Sequence, residues 1–457
     1  MTDGLNVDSV KAFLGEVRDT QDPRTGRRET KVGSIVQDWF HLGLAPGERV
    51  LLVLPNSAQL LDQVFAAWLA GLVPALLSPA SPTGRLLDLV RELGVKAVVS
   101  HRSLHLGGSQ DGGGLVGGLP AALFPEPSPS PSRPGETILL TSGTSGIASA
   151  CLFDLSALLL NAERHADAIG QKPGDTVLVS LPFHFSFALV AQALATFIRG
   201  GRLWIASQPF HPATYKTELS DHQVTLSSLT PVQVRRLTPG DWPATLRVLT
   251  VGGDVLAPGR VEALLAQRPG KELYLTYGTT PAGPRVSTLA AHREPSHRFA
   301  SVGLPMAGTH VQLRPRPDLA QGGELLVTSA TVMKRRLGLL ESPNPDWAAP
   351  GVLATGDVFR RDEAGYLYFL NRLSDFIVAG GQKICLASVR RLATSWPGVI
   401  SAQTRPRAEG YDLSLITSGH LPSGEFTTHL LKSLSPAERP QHLRVLNEAE
   451  AGTDPFK

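Results

Sequence analysis

Short apolar, β-prone runs alternate with stretches of helical spacing along most of the chain before Ala300, and few architectures satisfy that rhythm. After a polar leader, Val32–Leu44 reads as a helix, and Arg49–Leu54 as a buried strand ended by Pro55-Asn56-Ser57. Gln59–Gly71 returns to helical spacing, with Leu60, Leu61, Val64, Ala67 and Trp68 on one face and Gly71 as a stop. Val73–Leu77 is a strand, Arg85–Leu93 a helix and Val95–Ser100 a strand again. This order implies parallel strands joined by right-handed crossovers. A second series begins with a helix capped by Asp154 or Ser156, with Leu158, Leu159, Ala162, Ala166 and Ile169 facing inward and Gly170 at its end. Strands are expected at Thr176–Ser180, Arg202–Ala206, Val224–Leu229, Arg247–Val251 and Leu273–Thr276. From Ala300 the pattern changes to short strands, His310–Leu313 and Glu324–Thr328, which fit a small β subdomain. The expected fold is α/β: a large N-terminal domain (1–373) of two doubly wound βα sheets plus that subdomain, then a small α+β C-terminal domain (374–457). Residues of about 104–136, with a glycine cluster and the run PEPSPSPSRPGE, read as a flexible surface segment.

That segment leads into Thr137–Phe153, TILLTSGTSGIASACLF, where a β-prone run breaks into a loop of two glycines and four hydroxyls. Inward-turned backbone N–H groups and movable hydroxyls suit phosphate oxygens. The loop is not of the Walker type, because no Lys-Ser or Lys-Thr follows Gly146, and it contains no G-x-G-x-x-G. An ordinary connection would have the same composition, so the loop by itself decides nothing.

Charge narrows the partners. Lysine and arginine number 43 against 40 acids, with no basic block, which gives no electrostatic case for nucleic acid or an anionic membrane. Two cysteines, Cys151 and Cys385, lie in apolar runs without metal-ligand spacing, so a reduced, cytoplasmic protein without zinc is expected. The first residues, MTDGLNVDSVKAFLGEV, carry acids early and no long apolar core, unlike a signal peptide, and no stretch approaches the ~20 apolar residues of a membrane span.

Further along the chain stand Leu181-Pro182-Phe183-His184-Phe185-Ser186-Phe187, then Leu249-Thr250-Val251-Gly252-Gly253-Asp254. Tyr277-Gly278-Thr279-Thr280-Pro281, Gly323-Glu324-Leu325-Leu326-Val327, Thr355-Gly356-Asp357, Asn371-Arg372-Leu373-Ser374-Asp375 and a final Thr453-Asp454-Pro455-Phe456-Lys457 follow in that order. A lone histidine there would be a packed one, and a double glycine a tight turn. Taken in order, from about Leu42 to the last residue, these stretches closely resemble the acyl-adenylate-forming superfamily of acyl-CoA synthetases, peptide-synthetase adenylation domains and luciferases. The resemblance implies ATP-dependent activation of a carboxylic acid and transfer of the acyl group to a thiol, with ATP, Mg2+ and CoA or phosphopantetheine as cofactors. Expected partners are the acid, ATP and CoA or a separate acyl carrier protein, with a homodimer left open.

Residue by residue, the resemblance puts pyrophosphate against Thr141, Ser142, Gly143, Thr144 and Gly146. It lays Tyr277, with Gly278 and Thr279 beside it, against adenine and brings Thr280 to the α-phosphate. Asp357 and Arg372 fall to the ribose, His184 to the acid pocket, Gly252 and Gly253 to that pocket's wall. Lys457 would reach over from a C-terminal lid that rotates near Ser374. The departures stand beside the matches. Ala148-Ser149-Ala150 replaces P-K-G, so the loop lysine is absent; Pro281 replaces the glutamate that would bind magnesium; Val378 stands where a lysine often follows D-x-I. The histidine at Phe183-His184-Phe185-Ser186, where amino-acid-activating relatives have aspartate, disfavours an amino acid. Phe183, Phe185 and Phe187 point to an aryl or medium acyl acid, though alternating aromatics also pack in cores. A non-adenylating paralogue that binds a partner, and transfer to an amine or hydroxyl, are the competing readings.

Overall fold

The computed structural model of the chain describes residues 5–22, 28–102, 114–124, 132–141, 149–237, 240, 242–316, 322–337, 347–379, 382–407, 410–418, 427–428, 430–431, 433–435 and 438–448. Strands that are apolar on both faces need cover on both faces. Arg49–Val53 and Val73–Leu76 are buried along their whole length. They sit in the middle of a first eight-stranded sheet ordered Arg335–Leu337, Ser149–Asp154, Glu136–Thr141, Val73–Leu76, Arg49–Val53, Val95–Ser100, Leu119–Leu123 and Leu115–Val116. Its central pairs are parallel and its margins antiparallel. A second eight-stranded sheet runs Val17–Asp19, Arg202–Ile205, Thr176–Val179, Leu226–Leu229, Val248–Gly252, Glu272–Gly278, Arg285–Ala290 and Leu304–Pro305. It is parallel from the first of these strands through Glu272–Gly278.

The two sheets share one apolar core. The helix Ala58–Leu69 lies within it, its start fixed by Ser57 Oγ accepting from the Leu60 N–H at 3.1 Å. Phe65 packs against Phe13 and Phe197, with ring centres 5.6 and 5.3 Å away. The one-faced helix expected here is therefore buried on nearly every side, because both sheets cover it.

Two further expectations are corrected. The polar leader holds the helix Val7–Leu14 and the strand Val17–Asp19, which extends the second sheet. Val10, Phe13 and Leu14 are spaced for one helix face and are buried, as is Val17 at the start of the strand. Within the segment read as loose, Leu115–Val116 and Leu119–Leu123 form a hairpin on the first sheet through Gly117-Gly118, a two-residue turn of positive φ. The helix Leu155–Ala168 follows Asp154 without a side-chain cap, since that carboxylate takes the Lys334 ammonium at 2.8 Å instead.

A five-stranded sheet of Thr309–Pro315, Gly323–Ser329, Val352–Arg361, Trp347–Ala349 and Leu367–Arg372 forms the β subdomain. The small C-terminal domain has the helix Leu386–Thr394 and a sheet of Val399–Arg407, Gly410–Thr417 and His442–Asn447 around its own core of Ile384, Val389, Tyr411 and Leu413. Among the described residues no helix is long and apolar enough to cross a membrane.

Candidate active site

Parallel strands aim their carboxyl ends at one edge of a sheet, where open α/β folds hold ligands. Val248–Gly252 and Glu272–Gly278 end side by side there, bringing Gly252, Gly253, Tyr277 and Gly278 together. Gly278 has no room for a side chain, which would collide with the Pro284 carbonyl, and Gly253 turns at φ +92°.

The β subdomain supplies the other wall. Asp357 and Arg372 face each other on neighbouring antiparallel strands. Tyr277 Oη donates to Asp357 Oδ2 at 2.7 Å, and Arg372 Nε lies 2.8 Å from Oδ1. Thr355 fixes the turn, accepting from the Asp357 N–H at 3.1 Å while donating to the Leu325 carbonyl at 2.8 Å. Glu324 accepts from the Gly356 N–H at 3.2 Å and pairs with Arg314 at 2.6 Å. Asp357 is 1% exposed. Burial pushes its carboxyl above the usual carboxylate range, and Arg372 and Tyr277 pull it back in part. The same carboxylate raises Arg372, and burial together with Asp357 holds the Tyr277 phenol well above its ordinary value. Each carboxylate oxygen thus has one partner, the phenol at Oδ2 and the guanidinium at Oδ1, and keeps a further lone pair with which to accept.

These residues open on a cleft of about 470 Å³ that also takes Arg235 from the body, Asp375 from the junction, and Arg390, Arg391 and Thr404 from the C-terminal domain. Arg390 pairs with Asp375 at 2.7 Å and donates to Thr404 at 2.7 Å. Asp375 belongs to the Asn371–Asp375 stretch singled out in the sequence; the other four carry no periodic or motif signal of their own, and only the tertiary fold assembles them.

Thr280 meets the His184 element, its Oγ1 lying 2.9 Å from Ser186 Oγ. Burial lowers His184 to about 4, so the ring is neutral, and it leans on Phe185 with 4.4 Å between ring centres. Asn56 pins this turn, donating to the Leu181 carbonyl and accepting from the Phe183 N–H, both at 2.8 Å. The sequence showed Asn56 only as part of a strand-ending triplet. Of the three phenylalanines, Phe183 and Phe187 are buried in the core and Phe185 alone is exposed, at 45%, so they do not form one apolar pocket.

Thr141 ends the strand Glu136–Thr141 opposite Ser149, so the hydroxyl-rich loop connects two antiparallel strands. Ser142, Gly143, Thr144, Gly146 and Lys457 lie outside the described residues. Pro281 is buried, its carbonyl accepting from the Met333 N–H at 2.8 Å, and it offers no carboxylate to a metal. Among the described residues no group of three or more His, Cys, Asp and Glu side chains could hold a metal ion.

The family model described as AMP-binding enzyme matches residues 38–335. A 2-succinylbenzoate–CoA ligase of Bacillus licheniformis is 27% identical, over 79% of this chain and 76% of the relative. A sulfoacetate–CoA ligase of Cupriavidus necator is 25% identical, over 93% and 89%. Among solved structures, o-succinylbenzoate CoA synthetase (MenE) of Bacillus subtilis, in complex with its acyl-adenylate intermediate, superimposes with a TM-score of 0.74 at 22% identity, covering 91% of this chain and 88% of that one. That likeness establishes the shared fold.

Proposed function

The chain belongs to the AMP-binding enzyme family, and on that premise we propose that it activates a carboxylic acid with ATP and passes the acyl group to the thiol of CoA. One observation carries the reading: Tyr277, Asp357 and Arg372 converge on a cleft at the carboxyl edge of the parallel strands, the Asp357 carboxylate held between a phenol and a guanidinium. A vicinal diol fits that acceptor, because a carboxylate can take two hydroxyl donors at once. Asp357 then holds the ribose with Arg372 fixing the carboxylate, and Tyr277 bounds the adenine.

The reaction demands placement more than covalent help. A carboxylate is a weak nucleophile, and the α-phosphorus is ringed by negative oxygens, so alignment and charge neutralisation carry the rate. Thr280 is the hydroxyl assigned to the α-phosphate, steadied by Ser186. His184, neutral because buried, orients the acid without adding charge. Thr141, Ser142, Gly143, Thr144 and Gly146 are assigned to pyrophosphate, Gly252 and Gly253 to the acid's wall, and Lys457 to the charge that develops on adenylation. Magnesium finds no carboxylate at Pro281, and no step here depends on a protein ligand to it.

Exchange of labelled pyrophosphate into ATP, run with a panel of acids that includes 2-succinylbenzoate and sulfoacetate, tests the reading. Acid-dependent exchange is expected; none with any acid, in folded protein over a range of magnesium concentrations, overturns it. Product analysis with CoA, with a separate carrier protein and with an amine then identifies the acceptor, CoA being the one expected.

A further inference from the structure

Behind the wall assigned to the acid lies a set of buried side chains rich in donors. Arg285 stands opposite Gly278 on the strand Arg285–Ala290 and is 3% exposed. Its guanidinium lies 4.0 Å from the centre of the Phe187 ring, and Nη1 donates to Thr276 Oγ1 at 2.8 Å. Nε has no acceptor, and among the described residues no carboxylate pairs with this cation. Burial alone pushes it down to about 9. A desolvated guanidinium without a counter-charge is costly to keep.

Its neighbours share the imbalance. Asn161 clasps the Arg285 backbone, donating to its carbonyl at 2.9 Å and accepting from its N–H at 3.0 Å. One turn further along the same helix, His165 is fully buried with neither ring nitrogen partnered. Burial and the charge of Arg285 lower it to about 3, so it is a neutral ring with one N–H to give. Gln192, on the π-helical turn Leu189–Leu194 packed against that helix, is 1% exposed, and both ends of its amide are unpartnered. Arg285 also abuts the wall: a Cβ on Gly252 would stand 3.0 Å from Nη1, and Phe187 follows the Ser186 that holds Thr280.

We propose that Arg285 recognises a second anionic group, a carboxylate or sulfonate, at the far end of the acid that is activated. This rests on the acid-activating reading above and narrows it. A planar guanidinium takes such a group through paired hydrogen bonds, while an acid lacking it leaves the cation unpaired, and that difference is the source of selectivity.

Matched acids test this directly: 2-succinylbenzoate against 4-oxo-4-phenylbutanoate, which lacks the ring carboxylate, and sulfoacetate against propionate. In wild-type protein kcat/KM for exchange is expected to favour a dianionic member by about 100-fold, a ratio that falls by most of that factor in Arg285→Met. Arg285→Lys, which keeps the charge but loses the fork, is expected to fall between them. A second readout needs no turnover. The dianionic acid alone raises the melting temperature of the wild type and not of Arg285→Met, whose unliganded form melts no lower than wild type because an unpaired buried cation has been removed. Equal use of both members of each pair by the wild type overturns the proposal and leaves acid activation standing. A melting shift with the dianion but no exchange with any acid overturns activation and leaves the anion site standing. Arg285→Met melting well below the wild type, with no dianion effect on the wild type, assigns Arg285 a structural role and overturns the proposal.

Discussion

Asp357 is held by two unlike partners, a phenol that donates one hydrogen bond and a guanidinium that lowers the cost of keeping the charge buried. Asp357→Asn retains the shape and the Tyr277 bond but loses the charge, so AMP binding measured by calorimetry is expected to weaken by about 1–3 kcal/mol. The histidines give a pH dependence of definite sign. His184 and His165 have folded values of about 4 and about 3, below the ordinary 6.5. Between those limits the unfolded chain binds more protons, so their stabilisation is complete above about pH 6.5 and is lost as pH falls. The melting temperature is expected to drop from pH 6.5 towards pH 4, and less steeply in His165→Gln; an equal slope in both would count against the assignment. At this scale Tyr277, Asp357, Arg372 and Thr280 were singled out only through an ordered series of motifs that resembles a known family, since each alone reads as an ordinary turn or surface residue. Arg285, Asn56 and Arg235 were not legible. Their partners are residues such as Thr276, Leu181 and Ile400, met only after folding, and no spacing in the chain announces them.

Elements followed hydrophobic period where one period ruled. The parallel strands were readable because burial on both faces leaves uninterrupted apolar runs, and helix limits fell within a few residues of their capping signals. The helix Val7–Leu14 escaped because Asp8, Ser9 and Lys11 interrupt the apolar residues and hide a buried face of Val10, Phe13 and Leu14. That face is expected to matter. Phe13→Ala removes a ring packed between Phe65 and Phe197, and urea denaturation should show a loss of about 3–5 kcal/mol. The Gly117-Gly118 turn escaped for the opposite reason, its short hairpin being masked by glycine-rich and proline-rich neighbours.

The C-terminal domain has a core separate from the one shared by the large sheets, and two side-chain contacts among the described residues link it to the body. Arg235 Nε donates to the Ile400 carbonyl at 2.6 Å, and Arg236 pairs with Glu448. Replacing both arginines by alanine is expected to separate the melting of the C-terminal domain from that of the body, giving two calorimetric transitions where wild type gives overlapping ones. The strand Val17–Asp19 has a different consequence, one of timing. It pairs with Arg202–Ile205, and Thr20 reaches Glu218, 198 residues ahead. At roughly 5–20 residues per second of synthesis, this strand waits about ten to forty seconds for its partner, an interval in which a chaperone can shield its unpaired edge.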